Sequence, residues 1–203
     1  MNLMKLLSLP GIILAISMHE FAHAWMSDKL GDPTPARQGR LTISPFAHVD
    51  LLGLGMLFLF NFGWGKPVMI DPSYYKNRRR DEFLVSIAGV TMNLIIAAIM
   101  SVPTKLLFSY YENTGLYIAK MAFLIFYYTV VINLVLMVFN LIPVPPLDGW
   151  NIVSQLFNLQ KYSWWHKVYQ YGIWILLALI LLNITDIVLR PAINFFIQLL
   201  LGF

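Results

Sequence analysis

Cysteine is absent from this chain of 203 residues, which excludes disulfides and thiolate metal sites and leaves His and carboxylates as the only strong metal ligands. Charge is scarce as well. Only 12% of residues are charged, against about a quarter in a soluble domain. No Ser/Gly-rich linker, repeat or low-complexity tract divides the chain. The net charge of +4 gives no reason to propose a nucleic-acid partner, and the basic residues cluster in loops, as membrane topology requires. What the chain has instead is apolar surface: 59% of its residues are hydrophobic and its mean hydropathy is +0.68. The composition describes an integral membrane protein whose excess apolar surface faces lipid, with no room for a sizeable soluble module.

The pattern along the chain predicts an all-α polytopic membrane protein, a single domain over 1–203. Four transmembrane helices are expected, near 6–26, 83–102, 116–141 and 168–189. The first ends at Gly31-Asp32-Pro33, the second at Pro103, the third at Pro143, Pro145 and Pro146. Residues 51–70 hold an apolar run seeded with Gly53, Gly55 and Gly63. It is too short to span and reads as a re-entrant or interfacial, hairpin-like segment. The apolar tail 192–203 is either an interfacial helix or half of a broken span. Residues 1–18 could be taken for a signal peptide, but no small-x-small cleavage pattern follows, so they read as part of a retained span. Ten Lys and Arg fall in 28–82 and 158–168 and four elsewhere. The positive-inside rule then puts the larger group in the cytoplasm and the amino terminus outside.

Within this apolar frame one run stands out: His19-Glu20-Phe21-Ala22-His23. Four positions apart on a helix, the two imidazoles share a face and can grip one metal ion. Glu20 is placed to take a proton from a metal-bound water. Ionisable groups at membrane depth are costly and usually functional. Catalytic zinc typically has three protein ligands and an open fourth position. Asp148, in Asn140-Leu-Ile-Pro-Val-Pro-Pro-Leu-Asp-Gly149, is the natural third ligand, because three prolines break the helix there and Gly149 permits close backbone approach. Asp148 could alternatively cap the helix that starts near Gly149. His48 reads either as a solvated loop histidine or as a gating group or extra ligand.

The His-Glu-x-x-His of the first span, taken with Asn-x-x-Pro-x-Pro-x-Leu-Asp-Gly after a later one, resembles the site-2 protease family of intramembrane zinc metalloproteases. Ala88-Gly89-Val90-Thr91-Met92-Asn93 is similar to that family's middle motif, with Val90 where Pro is usual. Gly39 to Asp50 matches the stretch that follows the first span in the small branch without PDZ or CBS modules. The resemblance implies one Zn2+ ion per chain on His19, His23 and Asp148, with Glu20 as general base. It implies substrate-positioning or oxyanion-assisting roles for Asn140 and Asn93. It also implies substrates that are transmembrane or signal-peptide-like segments, cut in the bilayer of a bacterial cytoplasmic membrane; the positive-inside reading opens the site to the cytoplasm. The competing readings are a catalytically inactive relative that binds helices, and a membrane protein with a structural or transported metal.

Overall fold

The computed structural model describes residues 3–60 and 63–202, without the side chains of 58–60. Helix α1 (Leu3–Lys29) is followed by two short turns, α2 (Thr34–Arg37) and α3 (Pro45–His48), then by α4 (Leu51–Phe60). Next come α5 (Arg78–Thr114), α6 (Tyr117–Asn140), α7 (Asp148–Phe157), α8 (Ser163–Leu181) and α9 (Ile184–Leu201). Among the described residues there is no β-strand, only an isolated antiparallel bridge between Val49 and Gly65. Four helices are long and apolar enough to cross a membrane: α1, α5, α6 and α9. The chain is a multi-pass membrane protein.

Three expected boundaries move. Pro103 does not stop the second span: α5 runs straight through it to Thr114. A proline removes one helical N–H. The carbonyl it strands is that of Ile99, four residues back; on either side of it the hydroxyls of Ser101 and Thr104 donate to the carbonyls of Ala98 and Met100, both at 2.7 Å. The expected fourth span over 168–189 is divided, because α8 stops at Leu181 and Asn183 turns the chain with φ 55°. The residues beyond it form α9, which absorbs 192–201 of the tail; Phe203 lies outside the described residues. Of the hairpin-like segment, Leu51–Phe60 is helical and 63–71 is irregular apart from the bridge at Gly65; residues 61 and 62 lie outside the description.

The core lies between α5 and α6, where Val90, Ala97, Val130, Leu134, Met137 and Val138 pack together. Against it lean α1 and, from the other side, α9. Arg79, at the start of α5, donates through its guanidinium to the carbonyls of Gln155 and Leu156 at the end of α7. Cations there satisfy the last carbonyls and suit the helix dipole. That clamp fixes α7, and with it the position of Asp148 at the opposite end. By contrast α8 and α9 bury little beyond Gly172, Leu176, Thr185 and Leu201, leaving Trp174, Leu181, Ile187 and Leu199 on the surface that meets lipid.

Candidate metal centre

His19 and His23 project from α1 about 15 and 9 Å short of its end at Lys29, counting 1.5 Å per residue. The face of α5 opposite them is made by Val85, Gly89 and Asn93, spaced four apart and therefore in one row. Each member of that row has a different task. The Nδ1–H of His19 donates to Oδ1 of Asn93 at 2.7 Å, and the Nδ1–H of His23 donates to the carbonyl of Val85 at 2.8 Å. Between them Gly89 leaves room for the rings. A Cβ there would stand 2.6 Å from both Cε1 of His19 and Nε2 of His23.

The Asn93 amide is itself oriented. Its Nδ2 donates to the carbonyl of Ala15 and to Oδ1 of Asn133, at 3.1 and 3.0 Å, and Asn133 in turn donates to the carbonyl of Thr129. Oδ1 of Asn93 must therefore face His19, and the chain of bonds sets the tautomer of the imidazole. A neutral ring with its proton on Nδ1 presents a bare Nε2. Metal-ligating histidines are usually held this way.

The two bare nitrogens face one carboxylate oxygen. Oδ2 of Asp148 lies 3.1 Å from Nε2 of His19 and 3.3 Å from Nε2 of His23, and the two nitrogens are 3.0 Å apart. Oδ2 is buried and has no hydrogen-bond partner. With both rings carrying their proton on Nδ1, three lone pairs converge, an arrangement that a shared cation relieves. The spacing suits one, since ligands bonded at about 2.0–2.2 Å around a tetrahedral zinc stand roughly 3.3 Å apart. Among the described residues this is the one His/Asp/Glu group able to hold a metal. The donor set is borderline nitrogen and hard oxygen, which suits zinc.

The capping alternative for Asp148 is not realised. Helix α7 begins at Asp148 itself, with Leu147 as its N-cap and no side-chain cap bond. Gly149 does allow the close approach expected of it, since a Cβ there would meet the carbonyl oxygen of Leu141 at 2.3 Å.

Glu20 lines a cleft of about 450 Å³ beside the triad, together with Ile16, Leu54, Tyr128, Phe139 and Asn140. Oε2 of Glu20 accepts from the amide of Val68 at 2.9 Å. Asn140 borders the cleft and donates to the carbonyl of Leu136 at 3.0 Å. Asn93 differs from its expected place at the substrate: it is fully buried behind His19, where it orients the ring. His48 is fully buried too. Its Nε2–H donates to the carbonyl of Thr42 at 2.7 Å, and it stands outside the metal-competent group. Gly89, Val85 and Val68 touch the candidate site's side chains and carry no signal that the sequence analysis used. Gly89 was visible inside the Ala88–Asn93 motif, but nothing in one dimension says that its missing Cβ faces two imidazoles. Val85 and Val68 act through backbone atoms and leave no side-chain signal.

Comparison with known proteins gives the family. The family model of peptidase family M50 matches residues 106–183, a stretch that holds Asn140 and Asp148. The Bacillus subtilis protein named "Putative zinc metalloprotease YwhC" is 34% identical over 183 residues, covering 90% of this chain and 84% of that one. A Mycobacterium tuberculosis protein, "Putative zinc metalloprotease Rip2", is 37% identical over 146 residues, 69% of this chain and 53% of its own. Its Mycolicibacterium smegmatis namesake is 27% identical over 182 residues, 87% of this chain and 67% of its own. No solved structure matches the chain. With likeness to a relative extending over most of both proteins, the chain belongs to peptidase family M50, the site-2 type of zinc metalloprotease.

Proposed function

We propose that this metalloprotease hydrolyses peptide bonds in or near transmembrane helices, with one zinc ion per chain held by His19, His23 and Asp148. The observation that carries the reading is the shape of the cleft. It follows α1 from Lys5 to Glu20 and is walled by α1, α4 and α6 with apolar side chains such as Ile12, Leu57 and Val135. The fifteen helical steps from Lys5 to Glu20 cover about 22 Å, so the trough suits a single apolar segment rather than a short soluble peptide. Its partners are accordingly transmembrane or signal-peptide-like segments, delivered within the bilayer.

Bound zinc supplies Lewis acidity, which makes a water nucleophilic near neutral pH and polarises a carbonyl. Glu20 accepts the proton of the attacking water and passes it to the departing amine. Asn140, at the rim of the cleft, hydrogen-bonds the substrate backbone and steadies it. A helical substrate hides its carbonyls in its own ladder, so the cut requires local unwinding. The non-helical stretch 63–70 offers the unwound segment a backbone edge, as in strand addition, and Pro substitutions there that left cleavage intact would count against this. The distribution of Lys and Arg supports a cytoplasmic opening of the site in a bacterial cytoplasmic membrane, with the amino terminus outside.

The test compares wild type with Glu20→Gln on a model single-span peptide, with zinc measured on both. Equal zinc in the two, with cleavage reduced about 100- to 10,000-fold in the variant, is the expected outcome. Cleavage at wild-type rate by the variant, or none by wild type with zinc bound, overturns the proposal in favour of another mechanism or of a helix-binding protein that does not cut.

A further inference from the structure

The contact between Glu20 and Val68 belongs to a longer arrangement. From Gly65 to Asp71 the chain is neither helix nor strand and is tied down at three places. At the first, the Lys66 amide donates to the carbonyl of His48 at 2.7 Å, and the guanidinium of Arg40 binds the carbonyls of Ala47 and Lys66. At the third, the Asp71 amide donates to Oδ2 of Asp32 at 2.8 Å. Between them lies the bond from Val68 to Glu20. Through that bond Val68 faces α1. Gly65 brings the segment down onto that helix: a Cβ there would stand 2.7 Å from Cγ2 of Ile16, one turn before Glu20, and 3.1 Å from the carbonyl oxygen of His48.

We propose that segment 65–71 is a positioning strap for the general base, in which the Val68 amide holds Oε2 of Glu20 and leaves Oε1 to receive the proton of the attacking water. This rests on the proposed role of Glu20. A glutamate has three rotatable side-chain bonds and much freedom to lose. A backbone N–H on a carboxylate is a charge-assisted bond, and its donor here is fixed at both ends by residues that take no part in the chemistry. His48 and Arg40, buried or bound in a loop without a catalytic role of their own, acquire one purpose: they hold the strap that holds the base. Small displacements of a reacting group, on the order of 1 Å, cost up to about 100-fold in rate.

The experiment uses the full chain, zinc-loaded, with a model single-span peptide, and compares wild type, Val68→Ala, Val68→Pro and Gly65→Val. Val68→Pro deletes the N–H and is expected to lower kcat about 10- to 100-fold with KM and zinc content little changed. Val68→Ala retains the N–H and rescues kcat. Gly65→Val lifts the strap from Ile16 and lowers kcat in the same direction. A second readout needs neither metal nor substrate: amide hydrogen exchange at Val68 is expected to accelerate at least about tenfold when Glu20→Ala removes the acceptor. Zinc-loaded Val68→Pro with wild-type kcat, a loss that falls on KM alone, or exchange at Val68 indifferent to Glu20→Ala would each overturn the strap. If Val68→Pro does not fold, Gly65→Val and the exchange measurement decide. Failure of wild type itself to cut would strike the proposed function, while exchange at Val68 still reports on the strap.

Discussion

Two buried polar clusters lie along the second half of α1 and just past its end, and they handle hydrogen bonding in opposite ways. Around Asp32 every acceptor meets a donor. Ser27 donates to Oδ2 of Asp32 at 2.8 Å, Tyr75 donates to Ser27 at 2.7 Å, and the amides of Thr34 and Asp71 complete the carboxylate. Burial works against the charge on Asp32, but hydrogen bonds from Thr34, Asp71 and Ser27 outweigh it and hold the carboxyl below its ordinary range. Burial, aided by the nearby carboxylates of Asp32, Glu82 and Asp81 and opposed by the bond to Ser27, pushes the Tyr75 phenol up to about 12, so it stays a donor. At His19, His23 and Asp148 the balance is deliberately lacking: both ring protons are spent on α5, and three acceptors are left facing one another. The first cluster is complete without help and ties the loop to α1. The second leaves acceptors that a cation would complete. Donor counting thus separates a self-contained polar cluster from a candidate metal site even though each is built around a buried Asp.

The sharpest way to break that contrast is Asp148→Ala. Zinc content, read by metal analysis, is expected to fall below about a tenth of wild type, and peptide cleavage to drop about a thousandfold or more. Added zinc should raise the thermal midpoint of wild type and leave this variant unmoved, because stabilisation follows binding to the folded state. A zinc-dependent shift that survived in Asp148→Ala would place the ion elsewhere. Gly89→Ala comes next. Its Cβ would press on both imidazoles, and zinc affinity measured by competition with a chelator is expected to weaken about 100-fold. Asn93→Ala leaves His23 supported and frees only the His19 ring, so about a tenfold loss is expected in the same assay. A loss in KM instead would return Asn93 to the substrate.

Asp32→Asn tests the other cluster and carries the smallest effect. Zinc content should not change, while stability falls by about 1–3 kcal/mol as the Ser27 and amide bonds lose a charged acceptor. Because the folded carboxyl titrates lower than the unfolded one, its contribution is full above the ordinary carboxylate range. That contribution is lost as pH falls through the folded value. The gap between wild type and variant, followed by denaturant unfolding, should therefore be widest near neutral pH and close under acid. A gap independent of pH would mean that the Asp32 charge contributes nothing.

Much of the arrangement was legible before any coordinates. The third span, expected at 116–141, is Tyr117–Asn140, because three closely spaced prolines leave little latitude. His19, His23 and Asp148 could be grouped because carboxylates near the membrane are few. The Pro103 boundary was illegible for a physical reason: a proline removes one helical N–H, and a span packed along its length against neighbouring helices, as α5 is against α6, carries through that loss. Dividing 168–189 hung on Asn183 entering the left-handed region, which an asparagine adopts only in some contexts. For Asn93 the residue was identified but not its direction, since an amide buried between helices can point at a ring or at a cleft.

The sequence by itself determined the medium, the helical class and the chemical types of the ligands. Those follow from composition and from local spacing, which any stretch of chain carries with it. Only the tertiary structure decided the protonation pattern of the two histidines, the gap that Gly89 leaves beneath them, and the hold of the Val68 amide on Glu20. Each of these depends on atoms from distant parts of the chain meeting within about 3 Å, where hydrogen bonds form, and no one-dimensional pattern encodes which carbonyl or amide will be there.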